Sequence, residues 1–180
     1  MQKLWEKLSI IEKIEDEKLR EKVRITFEKA ARRGGWSVDE LLEIPFTLLI
    51  PDNPVSLVEH TRQVTEMALE NAERMDAAYE DYSFDRDTLI AGGLLHDVGK
   101  LLEYEIVDGE YVKSEVGRYL RHPFSGCALA FEMGIPPAVC HCIATHAHEG
   151  DGGWRSVESI AVNKADFTNF HSLKEVLGVK

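Results

Sequence analysis

What most constrains the folding of this chain is a pair of polar side chains placed where burial is hard to avoid. His96 and Asp97 follow directly on the apolar run Leu89-Ile90-Ala91-Gly92-Gly93-Leu94-Leu95. Such a run packs into a core, and a carboxylate carried in with it is strongly unfavourable unless a partner compensates its charge. Asp166 raises the same problem, because it falls within a second apolar helical stretch. The rest of the sequence must therefore bring compensating groups to both carboxylates.

Periodicity shows where those groups can come from. Leu4, Leu8 and Ile11, then Leu19, Val23, Phe27 and Ala30, recur at helical spacing until Gly34-Gly35 interrupts them, giving one or two amphipathic helices. Ser37-Val38-Asp39-Glu40 and Ser56-Leu57-Val58-Glu59 both have the form of a capping box. The first opens a short helix closed by Pro45, and 48–54 connects it to the second, which opens a long helix through His60, Val64, Met67, Ala68 and Ala72. A further helix runs from about Asp87 to Asp97, with Gly99 where a C-terminal glycine belongs. Asp108-Gly109, flanked by apolar residues between Tyr104 and Lys113, predicts a small β-hairpin. Helical patterns follow at 123–133, 136–146 and 157–170, broken by the Gly-rich segment 149–154, which reads as a connecting loop or a lid. The architecture is mostly α, without repeats.

A length of 180 residues is enough for one domain with a real core, and 44% hydrophobic against 29% charged residues is a globular balance. A net charge of −11 argues against gripping a large nucleic acid, since phosphate-backbone binding needs clustered Lys and Arg. A small phosphorylated ligand is compatible with it, because bound metal ions supply strong local positive charge. Cys127, Cys140 and Cys142 are an odd set with no disulfide framework, which points to a reducing compartment. No segment reaches the length that spans a bilayer, so the expectation is a cytoplasmic protein without a membrane partner.

The histidines supply the missing partners. His60, His96, His122 and His146 each sit on or beside a separate helical pattern, and a single histidine of this kind is ordinarily a satisfied core residue. Taken with Asp97 and Asp166 they form a set that a divalent metal would satisfy. Neutral imidazole with carboxylate suits iron, manganese or zinc, and a carboxylate can bridge two ions. The absence of thiolate spacing argues against structural zinc. Val139, Ile143 and His146 share one helix face, whereas His148 falls off it; His141 and His171 have no ligand case from spacing.

The stretch Leu94-Leu95-His96-Asp97-Val98-Gly99-Lys100 resembles the signature of the HD-domain superfamily of helical metal-dependent phosphohydrolases. An early histidine, a His-Asp doublet and a later aspartate match it in order at His60, His96-Asp97 and Asp166. The resemblance runs from about Ser56 to Phe170. Arg121 to Ala130 and Ile143 to Glu149 are similar to the two extra histidine motifs of members that hold two ions, as in the HD-GYP phosphodiesterases and HD-type diadenosine tetraphosphate hydrolases. No GYP triplet is present, which speaks against cyclic di-GMP.

The resemblance implies an all-α HD-domain bundle over 51–180, carrying the hairpin. It leaves 1–50 outside, an N-terminal helical extension whose amphipathic helices cover the core or contact a second copy in a homodimer. It implies two divalent ions, iron or manganese before zinc, nickel or magnesium, held by His60, His96, Asp97, His122, His146 and Asp166. Asp97 would bridge them, and a metal-activated water would attack a phosphate ester or anhydride of a nucleotide or similar small molecule. Lys100 and Arg121 would bind phosphate, and Lys100 would assist the leaving oxygen, unless Lys100 is simply a solvated lysine near a helix C-terminus. The same ligand pattern also fits a di-iron oxygenase; a non-catalytic nucleotide-sensing module ranks last, since it would lack a ligand and none of the six is missing.

Overall fold

Side-chain caps mark where most of the helices begin. The computed structural model describes residues 1–179. In chain order these form α1 (Gln2–Lys7), a 3₁₀ turn (Ser9–Lys13), α2 (Glu17–Gly34), α3 (Val38–Glu43), α4 (Leu57–Ala78), α5 (Arg86–Leu95), α6 (Lys100–Glu103), β1 (Tyr104–Val107), β2 (Glu110–Lys113), α7 (Glu115–Tyr119), α8 (His122–Glu132), α9 (Pro137–Thr145), a second 3₁₀ turn (His148–Gly150) and α10 (Val157–Val176). Asp16 accepts from the Lys18 and Leu19 amides at the start of α2, and both halves of the capping box form at Ser37. At Ser56 the hydroxyl accepts from the Glu59 amide, but the Glu59 carboxylate pairs with Arg62. The second capping box is therefore half formed.

Helix α5 has no polar face: every residue from Leu89 to Leu95 is buried. A helix apolar all round has to lie in the middle, and α5 is packed by α4, α9, α10 and α2. Two small residues allow the closest approaches. A Cβ on Gly92 would lie 2.8 Å from Cys142 Cβ on α9, and one on Gly93 would lie 2.8 Å from Thr65 Oγ1 on α4. Helix α4 answers with a stripe of Leu57, Val58, His60, Thr61, Val64, Ala68 and Ala72 turned inward. The N-terminal Leu4, Leu8, Ile11, Val23 and Phe27 are buried in the same apolar core as α5. All three cysteines are free thiols.

The hairpin forms as the Asp-Gly dipeptide predicts. Asp108 and Gly109 take positive φ of 54° and 85°, and Tyr104 pairs with Lys113 at the base of the antiparallel pair. The short helix α7, capped by Ser114, has no apolar stripe long enough to be visible in the sequence. Among the described residues, no helix is long and apolar enough to cross a membrane.

Gly99 departs from its expected role. It has φ −65° and does not end α5 in a left-handed turn; the chain passes through 96–99 straight into α6. Clearance is what requires glycine there, since a Cβ would stand 2.1 Å from the His122 carbonyl oxygen and 2.7 Å from the Gly126 amide of α8. The α5–α6 corner thus presses directly on the start of α8. Gly99→Ala is expected to destabilise the fold by about 1–3 kcal/mol through overpacking, read as a lower urea midpoint at unchanged m-value; an unchanged midpoint would show that α8 yields at no cost.

Candidate metal centre

Four imidazoles and two carboxylates converge where α4, α5, α8, α9 and α10 meet. His60 lies in the first turn of α4, His96 closes α5, His122 opens α8, His146 closes α9, and Asp166 projects from α10. Most of these positions are helix ends, where a side chain can turn into the space between helices. His60, His96 and His146 are fully buried, while His122 and Asp97 are nearly so.

Asp97 divides the imidazoles into two pairs. Its Oδ2 lies 3.4 Å from His60 Nε2 and 3.3 Å from His96 Nε2. Its Oδ1 lies 3.2 Å from His122 Nε2 and 3.6 Å from His146 Nε2. Within the pairs, the Nε2 atoms of His60 and His96 are 3.4 Å apart, and those of His122 and His146 are 3.2 Å apart. Asp166 Oδ1 adds a further oxygen 3.1 Å from His60 Nε2.

The far nitrogens explain why this set suits a cation. His96 Nδ1 donates to the Gly93 carbonyl and His146 Nδ1 to the Ile143 carbonyl, each at 2.7 Å. His60 Nδ1 meets Asn169 Oδ1 at 2.8 Å, and His122 Nδ1 meets Glu103 Oε2 at 2.8 Å. All four partners are acceptors, so Nδ1 carries a proton in each ring, and Nε2 presents a lone pair wherever it is not itself protonated. Lone pairs facing one another beside a carboxylate repel unless positive charge lies between them. Asp97 Oδ1, buried with no hydrogen-bond donor, needs the same thing. Two groups, His60-His96-Asp97 and Asp97-His122-His146, have ligand atoms all within 4.8 Å of one another. Imidazole nitrogens backed by carbonyl or carboxylate acceptors, converging on carboxylate oxygens, fit a divalent cation.

Charge within the cluster is balanced by neighbours. Burial works to lower the His60 pKa, but hydrogen bonds and charge from Asp166 and Asp97 outweigh it and raise it to about 9. Burial opposes ionisation of Asp97, yet Lys100 and the imidazoles hold its pKa well below the carboxylate range. Asp166 is likewise lowered by His60 against the effect of burial. Burial keeps His122 neutral, with its pKa lowered to about 4 although Glu103 pulls the other way.

Lys100 is neither solvated nor at a helix C-terminus. It opens α6 and is buried, its Nζ donating to Asp97 Oδ2 and to the Phe46 carbonyl, each at 2.6 Å. The loop after α3 brings that carbonyl into place, with the Phe46 amide donating to Val55 and the Leu57 amide to Ile44. Arg121 is half-exposed and engages Glu149 through Nε at 3.0 Å. A cavity of about 180 Å³ opens beside the centre, lined by Asp97, Lys100, Arg121, His122 and Asp166 together with Phe46, Phe167 and Phe170.

The remaining histidines have other work. His148 is exposed at the cavity rim and hydrogen-bonds Asp151. His141 accepts from the Ser156 amide and stacks on Trp154, and His171 lies against Phe167 and Phe170. Arg155 ties the Gly-rich segment down through the Thr145 and Ala147 carbonyls and Asp151, which makes it a fastened connection. Sequence reasoning missed Asn169 and Glu103. Asn169 lay within reach of it, three residues beyond Asp166 on one helix face, whereas Glu103 has no such signal.

Comparison with known proteins identifies a family. The family model for the HD domain matches residues 57–168. The chain is 29% identical over 172 residues to a dihydroneopterin 2',3'-cyclic phosphate phosphodiesterase of Methanocaldococcus jannaschii; the match takes in 88% of this chain and 66% of that protein, just under two thirds of its length. No solved structure matches the chain.

One consequence of the raised His60 pKa is measurable. Because that pKa, about 9, lies above the ordinary 6.5, a proton competes with a cation for His60 up to about pH 9 and ceases to compete above it. Titration of chelator-treated protein with Mn²⁺, by calorimetry in buffers of different ionisation heat, is expected to show proton release on binding and an apparent affinity that rises from about pH 7 toward pH 9. Binding without proton release across that range would show His60 to be neutral.

Proposed function

The chain belongs to the HD-domain family, whose members bind divalent metals, and from that premise we propose a metal-dependent phosphohydrolase working through two cations. Its HD domain would occupy 51–180, with 1–50 as an extension packed on the same core. The observation that carries the two-cation reading is the division of labour in Asp97, one oxygen toward His60 and His96 and the other toward His122 and His146. His60, His96, Asp166 and Asp97 Oδ2 would hold one ion, and His122, His146 and Asp97 Oδ1 the other. The donor set suits iron or manganese. Bound there, such ions supply Lewis acidity toward a phosphoryl oxygen and toward water.

The protein's own groups do the rest. Lys100 Nζ has three donors and spends two on Asp97 and Phe46, which leaves one N–H at the cavity wall for a phosphoryl or leaving oxygen. Arg121 is held through Nε, so its two terminal nitrogens are free to take a phosphate in fork geometry. Phe46, Phe167 and Phe170 offer an apolar wall to the organic part of a small substrate and limit water around the phosphate. The relative's named substrate, a 2',3'-cyclic phosphate of dihydroneopterin, supports a small-molecule phosphodiester as the substrate class.

The test is a substrate screen on chelator-treated protein reloaded anaerobically with Mn²⁺ or Fe²⁺, using 2',3'-cyclic nucleotides, linear diesters and monoesters. Hydrolysis is expected only after reloading, and Asp97→Ala should lower kcat/KM by about a thousandfold or more. Full activity without metal, or in Asp97→Ala, would overturn the reading.

A further inference from the structure

The two halves of the centre are not electrostatically alike. On the His60 side a cation would meet two carboxylates, Asp97 and Asp166; on the His122 side it would meet Asp97 alone. We infer that Glu103 makes up this deficit, acting as the positioning residue that orients His122 and sets the affinity of the second cation. The inference rests on the two-cation reading.

Glu103 is buried at 3% exposure, and one of its oxygens, Oε2, accepts twice from the same residue: from the His122 amide at 2.9 Å and from His122 Nδ1 at 2.8 Å. Bound at both backbone and ring, His122 has its position and its tautomer fixed together. The other three imidazoles rest on neutral oxygens, the Gly93 and Ile143 carbonyls and the Asn169 amide. His122 alone has an anion behind it. An anionic acceptor on the far nitrogen makes Nε2 a stronger donor to metal and returns part of the missing negative charge one ring away.

The surrounding fold immobilises this carboxylate. Glu103 ends α6 and leads into β1, and its carbonyl accepts from the Ser114 amide just beyond β2 at 2.9 Å, so the base of the hairpin closes on it. Lys113, paired with Tyr104 in the register, brings Nζ to 3.4 Å from Glu103 Oε1. From α7, Gly117 packs so closely that a Cβ would stand 2.3 Å from the Glu103 carbonyl oxygen and 2.8 Å from its Cγ. Hairpin, lysine and glycine thus converge on the one residue that supports His122.

The experiment is a calorimetric titration of chelator-treated full-length protein with Mn²⁺, and with Co²⁺ followed by visible absorption, in wild type and Glu103→Gln. One of two cations is expected to bind about 10–100-fold more weakly in Glu103→Gln, the other to be unchanged. The Co²⁺ bands of one equivalent should shift, and the metal-free melting temperature should stay near that of wild type. Unchanged affinities, or equal weakening of both cations, would overturn the inference. If Glu103→Gln does lower the metal-free melting temperature, Gly117→Ala decides, since it displaces Glu103 without removing its charge: selective weakening of one cation supports the inference and any other result overturns it. A wild-type stoichiometry of one would overturn the two-cation reading itself; Glu103 would then stand or fall on whether Glu103→Gln weakens that single cation at least tenfold.

Discussion

A carboxylate in the middle of the protein sets the terms for everything around it. Asp97 is 2% exposed, and a charge so placed persists only with compensation on every side. Lys100 supplies a full positive charge at 2.6 Å, and four imidazole nitrogens face the two oxygens. Each of these partners comes from a different element, so holding Asp97 means fixing α4, α5, α6, α8 and α9 relative to one another. The Lys100 to Phe46 hydrogen bond extends the requirement to the loop between α3 and α4.

Packing and chemistry meet at the same places. Glycines 92, 93 and 99 remove side chains where α5 and its following corner touch α9, α4 and α8, and the histidines of the centre ride on those contacts. A shift of an ångström at Gly99 would move the start of α8 and with it His122. Close packing of this kind allows little gradual adjustment, which suits a centre whose donor atoms must keep their spacing. The cavity beside that rigid frame is lined in part by Phe46, Phe167 and Phe170.

Much of this was legible along the chain. His60 stands on the buried stripe of α4, the Asp108-Gly109 turn appears as predicted, and the four histidines and two aspartates singled out by spacing are those that come together. Helical period and turn chemistry are local properties, so a single sequence displays them. Lys100 was legible only as a cation near phosphate chemistry, because its burial depends on a carbonyl more than fifty residues away. Gly99 was misassigned for a related reason: its need for glycine comes from α8, a contact without sequence proximity. Asn169 was within reach of helical spacing, whereas α7 was too short to show a period.

The amino-acid sequence by itself determined the helical architecture, the presence of two acids within apolar helical stretches and the kind of donors that answer them, since these follow from periodicity and from the cost of burying charge. Only the tertiary structure decided how the donors are shared: that Asp97 gives one oxygen to each histidine pair, that Lys100 turns inward, and that Glu103 stands behind His122. Those relations are angles and distances between elements far apart in the chain, set by how helices pack and where a hairpin closes.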